Sequence, residues 1–577
     1  MHLKSTPLPY FTAAAVLALL AQPPQAAAQF WAKQPAARQG ATVAAPAPAP
    51  DSDQAPPETE AAPPPDTSAD APVQPSAAGP RRILGESPNL SAPPEPGSSL
   101  GGSGETGTDS VGILPARDTD FDRNTWKYTA FGTVAGLMQA LPDRIDSAAE
   151  HELAKNLLVS IADAPQGDDR SGRLLSLRVR KLFSMGNVTD AAALARAAPG
   201  MPTDPELART EVEAELMAGQ IESACIDLRS FASLLTDPAS QNALMLCQQH
   251  SGEIAAADSA PMETASLGAA ARILGVPLSV DLRTATPPYL VAVATDPAAS
   301  PEAKLEAAFG AGRASAIYGD FLATILAAPP AGSLAADNAP PADGAGAAAL
   351  YQTIAQEGAV DQRVGLAERG LLSADGIADK VGVAMVAPLR KFEPVPELGA
   401  VAPRMAILFY TLGDIEAAAP WAQLADSSGN GAQLWPYRVL IKQAEPGAVG
   451  DWQQASGLDP AYQARVLTIL SAFNVARPPK GSARVAGDDR PEAAFADLLA
   501  IDKSAKDLHV GETVLRALAI LGRGGPANLH PLALRRVLAD LDQVSLHSEA
   551  HALAFEAITA TLYAGHKTSG GTLGTGP

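Results

Sequence analysis

Apolar positions recur with a helical period along most of the chain from about residue 147 onward. Residues His151–Ile161 alternate with a period near 3.6, the period of an amphipathic α-helix. Leu175, Val179 and Leu182 then occupy positions i, i+4 and i+7, which lie on one face of a helix. These patterns predict a protein built from helices.

The sequence contains few strand signals and few interruptions of the helical pattern. The best strand candidates are Val280–Leu282 and Tyr289–Val293. Residues 327–346 and 476–491 are rich in Pro and Gly and predict long loops. We therefore expect an N-terminal helical block at 111–326, a loop at 327–346, a C-terminal helical block at 347–565 and a flexible tail at 566–577.

Four short segments share one pattern: a glycine, a polar residue, Val or Ile, two further residues, and an alanine. They begin at Gly186, Gly219, Gly252 and Gly413, and the first three glycines recur with a constant period of 33. A fixed period in the thirties is typical of stacked helical hairpins.

Each position of the pattern has a physical role in such a hairpin. The glycine ends the first helix, where a left-handed residue without Cβ is favoured. We expect the polar residue to cap the second helix and the alanine to lie where the two helices cross closely. The four glycines are therefore predicted to be structural turn residues.

The pattern resembles the tetratricopeptide repeat, which has a turn glycine and a small second-helix residue at these places. The large aromatic residue of that family's first helix is mostly missing here, and so is a regular closing proline. The predicted fold is all-α: a degenerate tetratricopeptide-like helical-hairpin solenoid preceded by a disordered Pro/Ala-rich segment.

The two cysteines, Cys225 and Cys247, fit the same hairpin geometry. Between them, Thr236-Asp237-Pro238 predicts a turn in which Asp caps the next helix and Pro begins it. Thr236 lies midway between the two cysteines in the sequence. Residues equidistant from the tip of an antiparallel helix pair face each other, so we expect a disulfide in an oxidising compartment. Two free buried thiols are the alternative.

Residues 1–28 resemble a cleavable secretory signal. Phe11–Ala21 is apolar but too short to span a bilayer, and Ala26-Ala27-Ala28 offers a small-residue cleavage site. We expect a periplasmic protein with no membrane span in its mature form; an uncleaved anchor is the alternative.

Residues 29–110 are rich in Pro, Ala, Ser and Gly. The stretch 31–110 contains 16 prolines, and no aromatic residue occurs between Trp31 and Phe121. Such a segment cannot bury enough apolar surface to offset its ordering entropy. We expect a disordered spacer.

The composition narrows the range of partners. The formal net charge is −21, so the chain repels nucleic acid backbones, and no nucleic acid partner is expected. Hydrophobic residues make up 46% of the chain and aromatic residues only 5%. Because much of the apolar content is alanine, we expect many thin, closely packed helices.

Motifs for catalysis are missing: the sequence has no Gly-x-Ser-x-Gly elbow and no P-loop. The weak candidates for metal ligands are His547 and His551, which are at positions i and i+4 of a predicted helix. Glu549 lies between them and not next to either, unlike the zinc-hydrolase patterns. We predict no cofactor and no catalytic residue.

The chain from about Ser110 to Tyr563 also resembles a set of alphaproteobacterial exported proteins of unknown function, some labelled antifreeze glycopeptide-like. The resemblance is carried by Val111–Leu114, the Trp126 segment and the stretch Leu174–Pro199. It transfers no functional residue to this chain.

The sequence thus favours a non-catalytic periplasmic helical-repeat protein that mediates protein–protein interaction or envelope assembly, with unidentified envelope proteins as partners. A cell-envelope hydrolase, either metal-dependent or peptidoglycan-acting, is the alternative. A structural protein of the cell wall is a third interpretation. In the metal-dependent case, we expect the activity to depend on His547 and His551.

Overall fold

The computed structural model describes residues 107–114, 119–167, 172–253, 272–273, 275, 278, 280–328, 340–356, 358–373, 375–477 and 490–569. All of them belong to one unit, residues 78–577. The predicted signal, the spacer up to residue 106 and the tail beyond residue 569 lie outside the described residues.

The described part of the chain contains 22 α-helices. The first eleven are α1 (Phe131–Ala140), α2 (Ala148–Val159), α3 (Arg173–Ser184), α4 (Val188–Arg196), α5 (Pro205–Met217), α6 (Ile221–Ser230), α7 (Pro238–His250), α8 (Pro287–Thr295), α9 (Pro301–Arg313), α10 (Gly319–Ala327) and α11 (Gly344–Ala355).

The remaining eleven are α12 (Val360–Leu371), α13 (Lys380–Val386), α14 (Ala402–Thr411), α15 (Ile415–Ser427), α16 (Trp435–Arg438), α17 (Val449–Ala455), α18 (Pro460–Leu470), α19 (Phe495–Lys506), α20 (Val510–Leu521), α21 (Pro531–Gln543) and α22 (His547–Ser569). Short 3₁₀ helices occur at Thr108–Ser110, Ala387–Lys391, Pro396–Leu398, Gly431–Leu434, Pro446–Ala448, Ser471–Phe473 and Pro526–Asn528.

The all-α prediction is confirmed for the described residues, which contain only two isolated β-bridges and no strand. The strand candidate Tyr289–Val293 was wrong, because it lies inside α8. Pro287 and Pro288 begin that helix, and every residue from Leu290 to Ala294 is buried. A run buried on all sides has no alternation, so its period cannot separate a strand from a helix.

Consecutive helices pack together through the region of the three evenly spaced glycines. Helix α3 packs on α4, α4 on α5, α5 on α6 and α6 on α7, and α3 also contacts α5. Helices α14 and α15, on either side of Gly413, form another closely packed pair. In chain order, the helices that precede the four pattern glycines are α3, α5, α7 and α14.

The alanine of the repeated pattern lies at the centre of these pairs. Ala191, Ala224 and Ala418 are each 0% exposed. Alanine buries little area itself, but its small volume lets two helix axes approach closely. The fourth alanine, Ala257, lies outside the described residues.

The segment before α1 docks in two different places. Val111–Leu114 reaches the end of α2, where the Ile113 N–H donates to the Val159 carbonyl at 2.9 Å. Trp126 is 0% exposed and lies against Gly511 at the start of α20. The structure thus places Trp126 on a helix near the C-terminus, far from its own position in the sequence.

Early and late helices also meet elsewhere. Helix α1 packs on α20, and α2 packs on both α20 and α22. Across the predicted loop 327–346, α9 and α10 both pack on α11. In an ideal solenoid each repeat contacts only its neighbours, so these contacts are additional to simple stacking.

None of the described helices is both long enough and apolar enough to cross a lipid bilayer.

Candidate functional site

The two cysteines lie on successive helices of the stack, Cys225 on α6 and Cys247 on α7. Their sulfur atoms are 1.99 Å apart, the distance of a disulfide, and both residues are buried. The turn between them has the expected capping: Pro238 begins α7, and the Asp237 side chain accepts a hydrogen bond from the Ser240 N–H at 3.0 Å. The bridge fixes α6 to α7.

The four pattern glycines all adopt left-handed backbone conformations. Their φ angles are +83° at Gly186, +78° at Gly219, +75° at Gly252 and +71° at Gly413. In each turn, the N–H of the residue after the glycine donates to the carbonyl five positions earlier, as from Asn187 to Leu182 at 2.9 Å. This bond is the signature of the Schellman motif that ends a helix.

The polar residue after the glycine departs from the expected role. Asp414 does cap its helix, accepting a hydrogen bond from the Ala417 N–H at 3.0 Å. The side chains of Asn187 and Gln220 do not cap theirs. The capping prediction was therefore wrong for these two turns, and the second helix after Gly252 lies outside the described residues.

Instead, the polar residue of the second and third turns contacts the preceding hairpin. Arg196, the last residue of α4, donates to Gln220 Oε1 at 3.0 Å. Arg229, near the end of α6, pairs with Glu253 at 2.6 Å. From the first contact to the second, both partners advance by one period of the glycine pattern. The same contact thus recurs between successive helix pairs, and we call it the turn clasp.

The polar residue of the first turn, Asn187, points into the protein. Its Oδ1 accepts a hydrogen bond from His151 Nε2 at 2.8 Å, and its amide lies 3.4 Å from Asp190, which also accepts from the Tyr318 hydroxyl at 2.7 Å. Burial, reinforced by the nearby charge of Lys380, lowers the pKa of His151 to about 3. This histidine is therefore neutral near pH 7 and is held in place by the first repeat turn.

His547 and His551 each contact a different neighbour. His547 is exposed and pairs with Asp542 at 2.6 Å. The ring of His551 packs edge-on against Phe473, with centroids 5.0 Å apart. Glu549 lies beside Asp120, and burial together with that charge raises the pKa of Glu549 to about 8.

Three carboxyl groups converge in the hairpin of α5 and α6. Glu211 and Glu215 are one turn apart on α5, and Asp227 projects from α6. One oxygen atom from each lies within 4.8 Å of the others, the one such group of three possible metal ligands among the described residues. Arg196, which takes part in the turn clasp, lies 3.6 Å from Glu215.

Glu211 and Glu215 are buried, and Asp227 is half-buried. Burial, reinforced by the charge of Asp227, raises the pKa of Glu211 to about 7 and that of Glu215 to about 8. Burial also raises the pKa of Asp227. Carboxyl groups this close cannot all ionise without repulsion, so the group retains protons near neutral pH. A bound cation is the other way to neutralise it, because carboxylate oxygens are ligands for hard divalent ions.

Sequence reasoning missed these three residues because their spacing carries no metal motif. Only Glu211 and Glu215, at positions i and i+4 of a predicted helix, gave a local signal that two acids share a face. Asp227 joins them because the hairpin folds back at Gly219. The repeated pattern could have located this encounter, since it predicts which helices pair.

The comparisons with known proteins add no relative to this description. No family model matches the chain, and no match was found among curated proteins or among solved structures.

Proposed function

We propose that this protein is a non-catalytic helical-repeat protein of the periplasm that binds other proteins and serves in interaction or assembly within the cell envelope. Its hairpins would form a degenerate tetratricopeptide-like solenoid, whose groove is the binding surface. Such stacks offer extended concave surfaces to a partner.

The turn clasp is the observation that carries this proposal. Arg196 meets Gln220 and Arg229 meets Glu253, so the same contact recurs with the period of the glycine pattern. A contact that repeats in register is what a stack of equivalent hairpins requires. The side-by-side packing of the first helices α3 and α5 adds support, because those helices would line one face of the stack.

Two observations support an exported location. The chain begins with a stretch that resembles a secretory signal, and Cys225 and Cys247 are at disulfide distance. Disulfides persist in oxidising compartments and are rare in reducing ones.

The proposal is tested by cross-linking a tagged full-length chain in living cells and identifying what co-purifies by mass spectrometry. We expect a short, reproducible set of envelope proteins. A tagged periplasmic protein of similar acidity, expressed at the same level, controls for nonspecific capture. If the two proteins capture the same set, the binding role is contradicted.

The alternative, a metal-dependent envelope hydrolase, is favoured by one observation: the carboxyl groups of Glu211, Glu215 and Asp227 lie within 4.8 Å of one another. It is tested by measuring metal content in protein purified without chelators. One metal ion per chain, lost in Glu215→Gln and retained in His547→Ala, would move the function from scaffold to metalloprotein. Our proposal predicts that no stoichiometric metal is found.

A further inference from the structure

The start of α2 meets late parts of the chain through polar groups. Ser147 caps α2 by accepting a hydrogen bond from the Glu150 N–H at 3.2 Å. The same hydroxyl donates to Glu556 Oε2 on α22 at 2.8 Å. One serine therefore connects two glutamates from helices that are far apart in the sequence.

The carboxyl group of Glu150 lies at this joint without a hydrogen-bonding partner. It is 0% exposed, and neither of its carboxyl oxygens makes a hydrogen bond. The backbone of Gly525 closes over it: a Cβ at that position would lie 2.4 Å from Ser147 Cβ and 3.2 Å from Glu150 Oε2. Glu556 is 1% exposed, and its other oxygen, Oε1, is also unpartnered.

Some of the acidic groups around the joint have basic neighbours, and others do not. Asp146, just before α2, faces Glu150 and pairs with Arg144 at 2.6 Å and Arg523 at 2.8 Å. Asp379, the N-cap of α13, faces Glu556 and lies 3.8 Å from Arg313 of α9.

The other side of α2 has a group of its own with one acid and two lysines, in which Glu152 pairs with Lys155 at 2.7 Å and with Lys380 at 3.6 Å, next to neutral His151. Arg144 and Arg523 thus pair with Asp146, and Arg313 lies near Asp379. Among the described residues, no basic side chain pairs with Glu150 or Glu556.

An uncompensated buried carboxyl group is stable only when it carries a proton. Burial, reinforced by the charges of Glu556 and Asp146, raises the pKa of Glu150 well above its usual value. Burial raises the pKa of Glu556 to about 7, although hydrogen bonds from Ser147 and from the backbone of Ala149 and Ala378 oppose the shift. Burial likewise raises the pKa of Asp379 to about 7.

We propose that Glu150 and Glu556 form a proton-dependent lock that holds the start of α2 against α22. The lock is closed while the two carboxyl groups carry protons, and it loosens when they ionise, because two neighbouring buried charges then lack a counter-ion. The inference does not depend on the proposed binding role.

The direction of the effect follows from the raised pKa values. A group with a raised pKa in the closed state stabilises that state fully below its ordinary pKa, and the stabilisation is lost as the pH rises through the raised value. For Glu556, a change from 4.5 in the open state to about 7 in the closed state raises the opening constant about 30-fold between pH 5.5 and 8.5.

Hydrogen exchange of the full chain, followed by mass spectrometry and corrected for intrinsic exchange rates, tests the lock. We expect peptides covering Ala148–Val159 and residues 547–560 to lose protection as the pH rises from 5.5 to 8.5. Peptides of α8 should keep their protection over the same range. In Glu150→Gln, which keeps the side-chain shape without a titrating group, the pH dependence should flatten.

The matched control is Asp143→Asn, which removes a nearby surface carboxyl group. Burial opposes ionisation of Asp143, but hydrogen bonds from Lys181 and Ser184 lower its pKa overall, so it does not titrate in this range. This variant should keep the wild-type pH dependence. Glu556→Gln serves as the second lock variant if Glu150→Gln fails to fold. Unchanged protection of both regions in the wild type, or equal pH dependence in the wild type and a lock variant, would overturn the proposal.

Discussion

The first and second repeat turns have the same sequence pattern and nearly the same backbone, but their surroundings differ completely. Gly186 and Gly219 have φ angles of +83° and +78°. A Cβ on Gly186 would lie 2.7 Å from Ala316 Cβ and 2.9 Å from Pro287 Cβ. A Cβ on Gly219 would meet no atom within 4 Å.

This difference shows that a turn can require glycine for two separate reasons. The left-handed conformation is a local requirement, shared by both turns and encoded in the repeated pattern. The close approach is a tertiary requirement that only the first turn has, because that turn packs against α8 and the α9–α10 connection. The polar residues follow the same division: Asn187 binds buried His151, whereas Gln220 takes part in the exposed turn clasp.

Gly186→Ala should therefore have the largest effect on stability. Left-handed strain costs about 1–2 kcal/mol, and forcing a methyl group into packed neighbours costs about 1–3 kcal/mol more. We expect a loss of about 2–5 kcal/mol in the free energy of unfolding, measured by urea denaturation. A loss no greater than that of Gly219→Ala would show that the packing around the first turn is not tight.

Removing the disulfide should have the next largest effect. Replacing Cys225 and Cys247 with serine opens a link with a sequence separation of 22, which corresponds to about 3 kcal/mol in the unfolding free energy. Urea denaturation of oxidised wild type, reduced wild type and the double variant measures this. We expect the last two to coincide, and a double variant as stable as the oxidised protein would contradict the bridge.

Gly219→Ala measures the free-energy cost of the left-handed backbone conformation alone. With no atom within 4 Å of the added methyl group, only left-handed strain remains, about 1–2 kcal/mol. The same urea experiment measures it, with Gly447→Ala as the control, because Gly447 has open space and no positive φ. If Gly219→Ala matched this control, the left-handed turn would not be required.

Breaking one turn clasp should have the smallest effect. The Arg229–Glu253 pair is well exposed, with side chains 39% and 50% accessible, so water screens it. Arg229→Ala should cost at most about 1 kcal/mol, and the cost should shrink at high salt. Thermal denaturation at low and high ionic strength checks this; a large, salt-independent loss would mean that Arg229 acts through packing.

Local features of the fold were predictable from the sequence. The glycine pattern placed the turns at Gly186 and Gly219, and the Asp237-Pro238 pair placed the start of α7. Each of these depends on a few neighbouring residues, whose preferences for helix ends are strong.

Contacts between distant segments were not predictable. Trp126 packs on α20 and Asn187 binds His151 only because distant segments fold together. The Glu150–Glu556 joint is a further case, since nothing near either residue marks it as buried. A single sequence carries no signal for such encounters beyond the polarity of the residues themselves.

The central claim, that the hairpin stack binds a protein partner, is tested most directly by placing a photo-reactive amino acid at single positions in the tagged chain in living cells. Glu213 on α5 and Met245 on α7 are half-buried positions on first helices of the stack, and Lys503 on α19 is an exposed control. We predict light-dependent adducts with the same few proteins from positions 213 and 245 and none from position 503. Adducts from 503 alone, or identical adducts from all three positions, would contradict the claim.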